Sequence, residues 1–93
     1  MASVLSDSEI QSQLSQLSDW SRSGQAIETT KTFDGFVEAI AFVNKLVEPA
    51  ESAGHHPDIA VSYNKVTISL TSHDAGGLTD SDFVMAKTIS EIE

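Results

Sequence analysis

The 93-residue sequence predicts an α+β fold: an antiparallel sheet of about four strands with three helices packed on one face, in the order α-β-β-α-β-β-α. Three observations carry that expectation. Apolar residues recur at helical spacing in three separate stretches. Two alternating runs, Ile59-Val61-Tyr63 and Val66-Ile68-Leu70, flank Asn64-Lys65 and read as a hairpin. A further β-branched run, QAIETTKTF, follows a Ser23-Gly24 turn signal.

Taken in order, Ser6 and Glu9 form a capping-box pattern, with Leu5 and Ile10 as the accompanying hydrophobic staple. Ile10, Leu14 and Leu17 extend one narrow stripe, so the spacing predicts a helix over about 7–17. In QAIETTKTF neither parity is cleanly apolar; it is read as a strand, with 19–23 as its hairpin partner. Asp34 can cap a second helix. Phe36, Ile40, Val43 and Val47 share a face, flanked by Ala39, Phe42 and Leu46, a wide stripe expected to pack on the sheet. Pro49 should end this helix near Val47 or kink it on the way to Ala53; the helix formers of PAESA and the Gly54 stop favour the kink. Thr79 and Asp82 repeat the capping pattern. Asp82, Met85, Ala86 and Ile89 form the stripe of a third helix over about 80–91.

The hairpin matters most, because every histidine of the chain lies around it, at positions 55, 56 and 73. A two-residue Asn64-Lys65 loop would set Tyr63 opposite Val66, Val61 opposite Ile68 and Ile59 opposite Leu70. The apolar pairs then share one face. Extending that register brings His56 opposite His73. Pro57 holds His56 extended, and His55 points elsewhere.

Length and composition bound the function. The chain is read as a single domain, 1–93. Fourteen acids against five scattered bases give a net charge of −9 and no basic stripe, so direct nucleic-acid binding is not expected. There is no cysteine, hence no disulfide, thiolate nucleophile or Cys-ligated metal. MASVLSDSEI has neither the basic start nor the apolar run of a signal peptide, and no stretch is long enough to span a membrane. A soluble cytoplasmic protein is the expectation.

Three histidines support three readings. They could be surface or capping residues. They could ligate a metal, with Asp58, Asp74 or Glu51 completing the shell, although adjacent residues of an extended chain point to opposite sides. Or they could perform acid–base chemistry without metal or nucleophile, because imidazole both gives and takes protons near neutral pH. The reaction would then be a proton transfer, elimination or hydration.

The pattern Glu51-x-x-x-His55-His56-Pro57, followed by Tyr63, His73 and Asp82, resembles the signature of the pterin-4a-carbinolamine dehydratases. The likeness is close over 51–82 and includes YNKV and TSHDAGGLTDSD. The resemblance implies a helix-flanked antiparallel sheet and dehydration of 4a-hydroxytetrahydropterin to quinonoid dihydropterin, a step in recycling the pterin used by aromatic amino acid hydroxylases. It implies no cofactor and no metal. It marks His55, His56 and His73 as catalytic, with His55 and His73 as candidate acids for the leaving hydroxyl and His56 as positioning group and candidate base. It carries Asp82, Glu51 and Trp20 as substrate-binding or orienting residues, each with a structural alternative: helix cap, surface carboxylate and core tryptophan. Tyr63 reads as packing. Pro49 departs from the family pattern. Relatives form dimers or tetramers, and some act as dimerisation cofactors for transcription factors, so a homodimer or homotetramer is expected. The alternative function is an interaction module that retains the fold.

Overall fold

The computed structural model describes residues 4–92. Among the described residues, four strands form one antiparallel sheet: β1 (Ser21–Ser23), β2 (Ala26–Thr32), β3 (Asp58–Ser62) and β4 (Lys65–Leu70), in spatial order β1-β2-β4-β3. The helices are α1 (Asp7–Leu14), α2 (Phe36–Lys45), α3 (Val47–Ala53) and α4 (Asp80–Ser90), with α2 and α3 forming the two segments of the predicted middle helix. The expected α+β architecture is the observed one.

The Ser6–Glu9 capping box starts α1. Bonds from Ser6, chiefly its backbone N–H and then its hydroxyl, hold the Glu9 carboxyl below its ordinary range. The helix ends at Leu14 rather than 17. Ser15 turns its hydroxyl onto the Ser12 carbonyl at 2.6 Å, and the chain continues in i→i+3 turns through Leu17 and Trp20. In β2 the mixed parity resolves in favour of Ile27 and Thr29, both buried. The Thr29 hydroxyl donates to the Asp19 carbonyl at 2.6 Å, which is what lets a threonine occupy a core position.

The middle helix breaks at Leu46, three residues before Pro49. That places Pro49 in the first turn of α3, where a backbone N–H has no intrahelical acceptor to lose. Its packing also differs from expectation. Ala39, Phe42 and Leu46 are buried, whereas Phe36 and Val47 on the neighbouring stripe are 54% and 59% exposed. The apolar face of this helix is therefore only partly buried.

The β3–β4 hairpin pairs Val61 with Val66 and Ile59 with Ile68, so the turn residues are Tyr63-Asn64 and not Asn64-Lys65. A shift of two residues keeps every side chain on its face, so alternation alone does not discriminate between the registers. What selects the observed one is Asn64. Its amide donates to the Phe33 carbonyl at 2.9 Å and its own carbonyl accepts from the Phe33 N–H at 2.8 Å, tying the turn to the end of β2. Tyr63 takes the positive φ, 54°.

The core lies between one sheet face and the helices. Ile27, Val66, Ile68 and Leu70 meet Ile10, Phe42, Leu46, Phe83, Met85 and Ile89. Trp20 belongs to it, and its indole N–H donates to the Ser90 hydroxyl at 2.9 Å, joining the approach to β1 with α4.

A histidine cleft as candidate active site

Three chain segments converge at one end of the sheet: the exit of α3, the loop after β4 and the start of α4. Gly54 closes α3 in the left-handed conformation (φ 63°). The His55 N–H then returns to the Ala50 carbonyl at 3.1 Å, the closing bond of a Schellman-type end. His55 is thereby pressed against α4. Its Nε2 lies 2.6 Å from Asp82 Oδ1, with the ring 17% exposed and the carboxylate 0%.

Asp82 sits at the N-terminal end of the apolar stripe of α4, where helix N–H groups favour an anion. Its Oδ2 accepts from the Thr79 N–H and the Ser72 hydroxyl, each at 2.9 Å. Ser72 Oγ also lies 2.9 Å from Thr79 Oγ1. Among the described residues no buried side-chain nitrogen or oxygen lacks a partner. Because an ionised carboxylate only accepts, this network assigns the Nε2 proton to His55, and in the neutral ring Nδ1 is the acceptor.

His56 is arranged similarly but in solvent. Its Nε2 lies 2.6 Å from Glu51 Oε2, and the two side chains are 62% and 69% exposed. His73 opens a single 3₁₀ turn, His73–Ala75, that ends on Gly76 at φ 84°. The loop is closed by pairing of Ser72 with Gly77. Among the described residues the His73 side chain has no hydrogen-bond partner.

The β3–β4 ladder stops at Asp58–Ser69, short of the histidines, so His56 and His73 are not a ladder pair. The three nevertheless line one cleft of about 370 Å³, with Thr71, Ser72, Asp74, Thr79 and Ser81. The structure thus gathers His55, His56 and His73, with Asp82 directly behind His55 and Glu51 beside His56. Trp20 is not among the residues of this cleft. Sequence reasoning missed Ser72; a serine before a histidine carries no signal. Thr79 was visible only as a helix cap. Among the described residues no three His, Asp or Glu side chains are grouped to hold a metal ion. The carboxylates near His55 and His56 each engage one imidazole.

The arrangement can do acid–base work. Two imidazoles are each held through Nε2 by a carboxylate, which leaves Nδ1 as the nitrogen that this carboxylate does not engage. A third is unpartnered and exposed.

Residues 3–92 match the family described as Pterin 4 alpha carbinolamine dehydratase. A protein of a Nostoc species named "Putative pterin-4-alpha-carbinolamine dehydratase" is 67% identical over 92 residues, covering 99% of each chain. The crystal structure of a transcriptional coactivator/pterin dehydratase from Brucella melitensis superposes with a TM-score of 0.89 at 30% identity, covering 94% of this chain and 95% of that one. A pterin dehydratase-like protein identified as a RuBisCO assembly factor in the alpha-carboxysome shares the fold, with a TM-score of 0.64 at 22% identity over 76% of this chain and 84% of its own.

Proposed function

The chain belongs to the pterin-4a-carbinolamine dehydratase family, and from that premise we propose that it dehydrates 4a-hydroxytetrahydropterin to quinonoid dihydropterin by histidine acid–base catalysis. The observation that carries this reading is the convergence of His55, His56 and His73 on one cleft, two of them held by carboxylates. In the reaction the C4a–O bond breaks and the hydroxyl, protonated, leaves as water. N5 gives up its proton, and the freed electron pair completes the C4a–N5 double bond. One imidazole must give a proton and another must take one.

His55 and His73 are assigned as donors to the leaving hydroxyl, and His56 as the positioning group and base. Asp82 supports the first assignment, since its carboxylate offsets the positive charge that His55 carries when both ring nitrogens hold protons. Glu51 orients His56. Trp20, buried and bonded to Ser90, is assigned to supporting the packing of α4. The reading includes a homo-oligomer, cytoplasmic location and a functional link to an aromatic amino acid hydroxylase as the source of the substrate. Among the described residues no helix is long and apolar enough to cross a membrane.

The test is stopped-flow absorbance with freshly generated 4a-hydroxytetrahydropterin. The protein should accelerate quinonoid dihydropterin formation over buffer. His55→Ala, His56→Ala and His73→Ala should each lose about 10²-fold or more while remaining folded. A wild-type rate no faster than buffer overturns the proposal.

A further inference from the structure

Acid–base work at His55 needs one fixed tautomer, and the groups that could fix it lie behind the ring. We propose that Ser72 is a positioning residue for His55, resting on the dehydratase reading: its hydroxyl locks the Asp82 carboxylate so that the Nε2–H stays committed to Asp82 and Nδ1 is the nitrogen that takes up a proton and then donates it.

Valence sets the direction of the chain of bonds. Asp82 Oδ2 can only accept, so the single proton of the Ser72 hydroxyl goes to it. Ser72 Oγ, 2.9 Å from Thr79 Oγ1, must then accept from the threonine hydroxyl. The relay runs from Thr79 to Ser72 to Asp82 Oδ2, while Asp82 Oδ1 accepts from His55 Nε2 at 2.6 Å.

Two donors on Oδ2 do different things. The Thr79 N–H, from the same first turn of α4 as Asp82, holds that oxygen from within its own helix. Ser72 approaches from another segment, the loop after β4, and a second donor from a second direction fixes the plane. The loop is itself held, because the Ser72 carbonyl accepts from Ala75 and Gly76 at 3.0 Å and its N–H donates to the Gly77 carbonyl. Removing the hydroxyl therefore leaves the backbone bonds of the loop in place. It also leaves the Thr79 hydroxyl proton without its Ser72 acceptor and the carboxylate with one donor fewer. Ser72 precedes His73, so one dipeptide supplies both the brace for His55 and the unpartnered imidazole of the cleft.

The test uses the full chain, free of substrate and then turning over. Long-range proton–nitrogen correlation of ¹⁵N-labelled protein at about pH 8.5, where an ordinary imidazole is neutral, reads the tautomer of each ring. Wild type should show His55 as the Nε2–H tautomer alone. Ser72→Ala should show a mixture at His55 but no change at His56. Its kcat should fall about tenfold or more, with KM within about twofold. Ser72→Thr, which keeps the hydroxyl, should restore both readings. Should Ser72→Ala not fold, Ser72→Cys, with a weaker donor of similar size, is measured in its place and should show the same changes.

A single Nε2–H tautomer and wild-type kcat in the hydroxyl-free variant overturn the proposal, as does failure of Ser72→Thr to restore them. An inactive wild type whose His55 tautomer is loosened by Ser72→Ala supports the bracing role while overturning the dehydratase reading. The two failures therefore read differently.

Discussion

Asp82 and Glu51 each hold a histidine at 2.6 Å, yet their surroundings are opposite. Asp82 is enclosed and serves three donors, so Asp82→Ala strands the Ser72 hydroxyl, the Thr79 N–H and the His55 Nε2–H. Each buried donor left without an acceptor costs about 1–3 kcal/mol, so a loss of about 3 kcal/mol or more is expected in urea unfolding. Glu51→Ala removes an ion pair standing mostly in solvent and should cost less than about 1 kcal/mol. Equal losses for the two variants would show that burial is not what separates them. The same contrast explains what the sequence exposed. A carboxylate at 82, on the stripe of Met85, Ala86 and Ile89, breaks the apolar pattern and so announces itself. Ser72 and the role of Asp82 as its acceptor depend on where the loop after β4 folds back, which no local spacing encodes.

At the scale of elements, both ends of α3 carry a residue that looks disruptive, and the structure ranks them. Pro49 lies in the first turn, where its missing N–H costs nothing, and the break precedes it at Leu46. Pro49→Ala should therefore shift unfolding by less than about 1 kcal/mol, not the ~3 kcal/mol of an interior helical proline. Gly54 is different. Its φ of 63° is left-handed, and an added Cβ would meet nothing within 4 Å, so strain alone sets the cost. Gly54→Ala should lose about 1–2 kcal/mol by thermal or urea unfolding and displace His55, lowering turnover further than stability. A larger effect of Pro49→Ala than of Gly54→Ala would reverse this account. Helical periodicity predicted that the middle helix would continue past the proline, and it does, in two segments. It could not predict which stripe the sheet would cover. Ala39, Phe42 and Leu46 are buried, while Phe36 and Val47 are left exposed. The hairpin was legible as a hairpin, whereas its register turned on one long-range bond pair between Asn64 and Phe33.

The whole molecule leaves apolar surface that its own core does not use. Among the described residues β3 is an edge strand, paired only with β4, and Ile59 and Val61 stand on the same face as the buried Ile68 and Val66 yet are more than a third exposed. Phe36, Val37 and Val47 are exposed on α2 and α3. The protomer measures 38 × 24 × 20 Å and presents 5726 Å² of surface, above the ~5,200 Å² typical of a compact monomer of 10.0 kDa. The proposed homo-oligomer would place a second copy on this surface. An open antiparallel edge can pair with itself about a two-fold axis, offering each copy the backbone groups the other lacks. The opposing term is charge, since each copy carries −9. Long-range repulsion between acidic copies is screened by salt, whereas burial of apolar side chains is not weakened by it. Association should therefore strengthen from about 20 mM to 500 mM salt in sedimentation velocity. Val61→Lys, which puts charge on the edge strand, should shift the protein to a monomer at every salt concentration while leaving the histidine cleft intact. A wild type that stays monomeric at high concentration and high salt would remove the oligomer from the proposal. An oligomer indifferent to Val61→Lys would move the interface from β3 to the exposed stripe of α2.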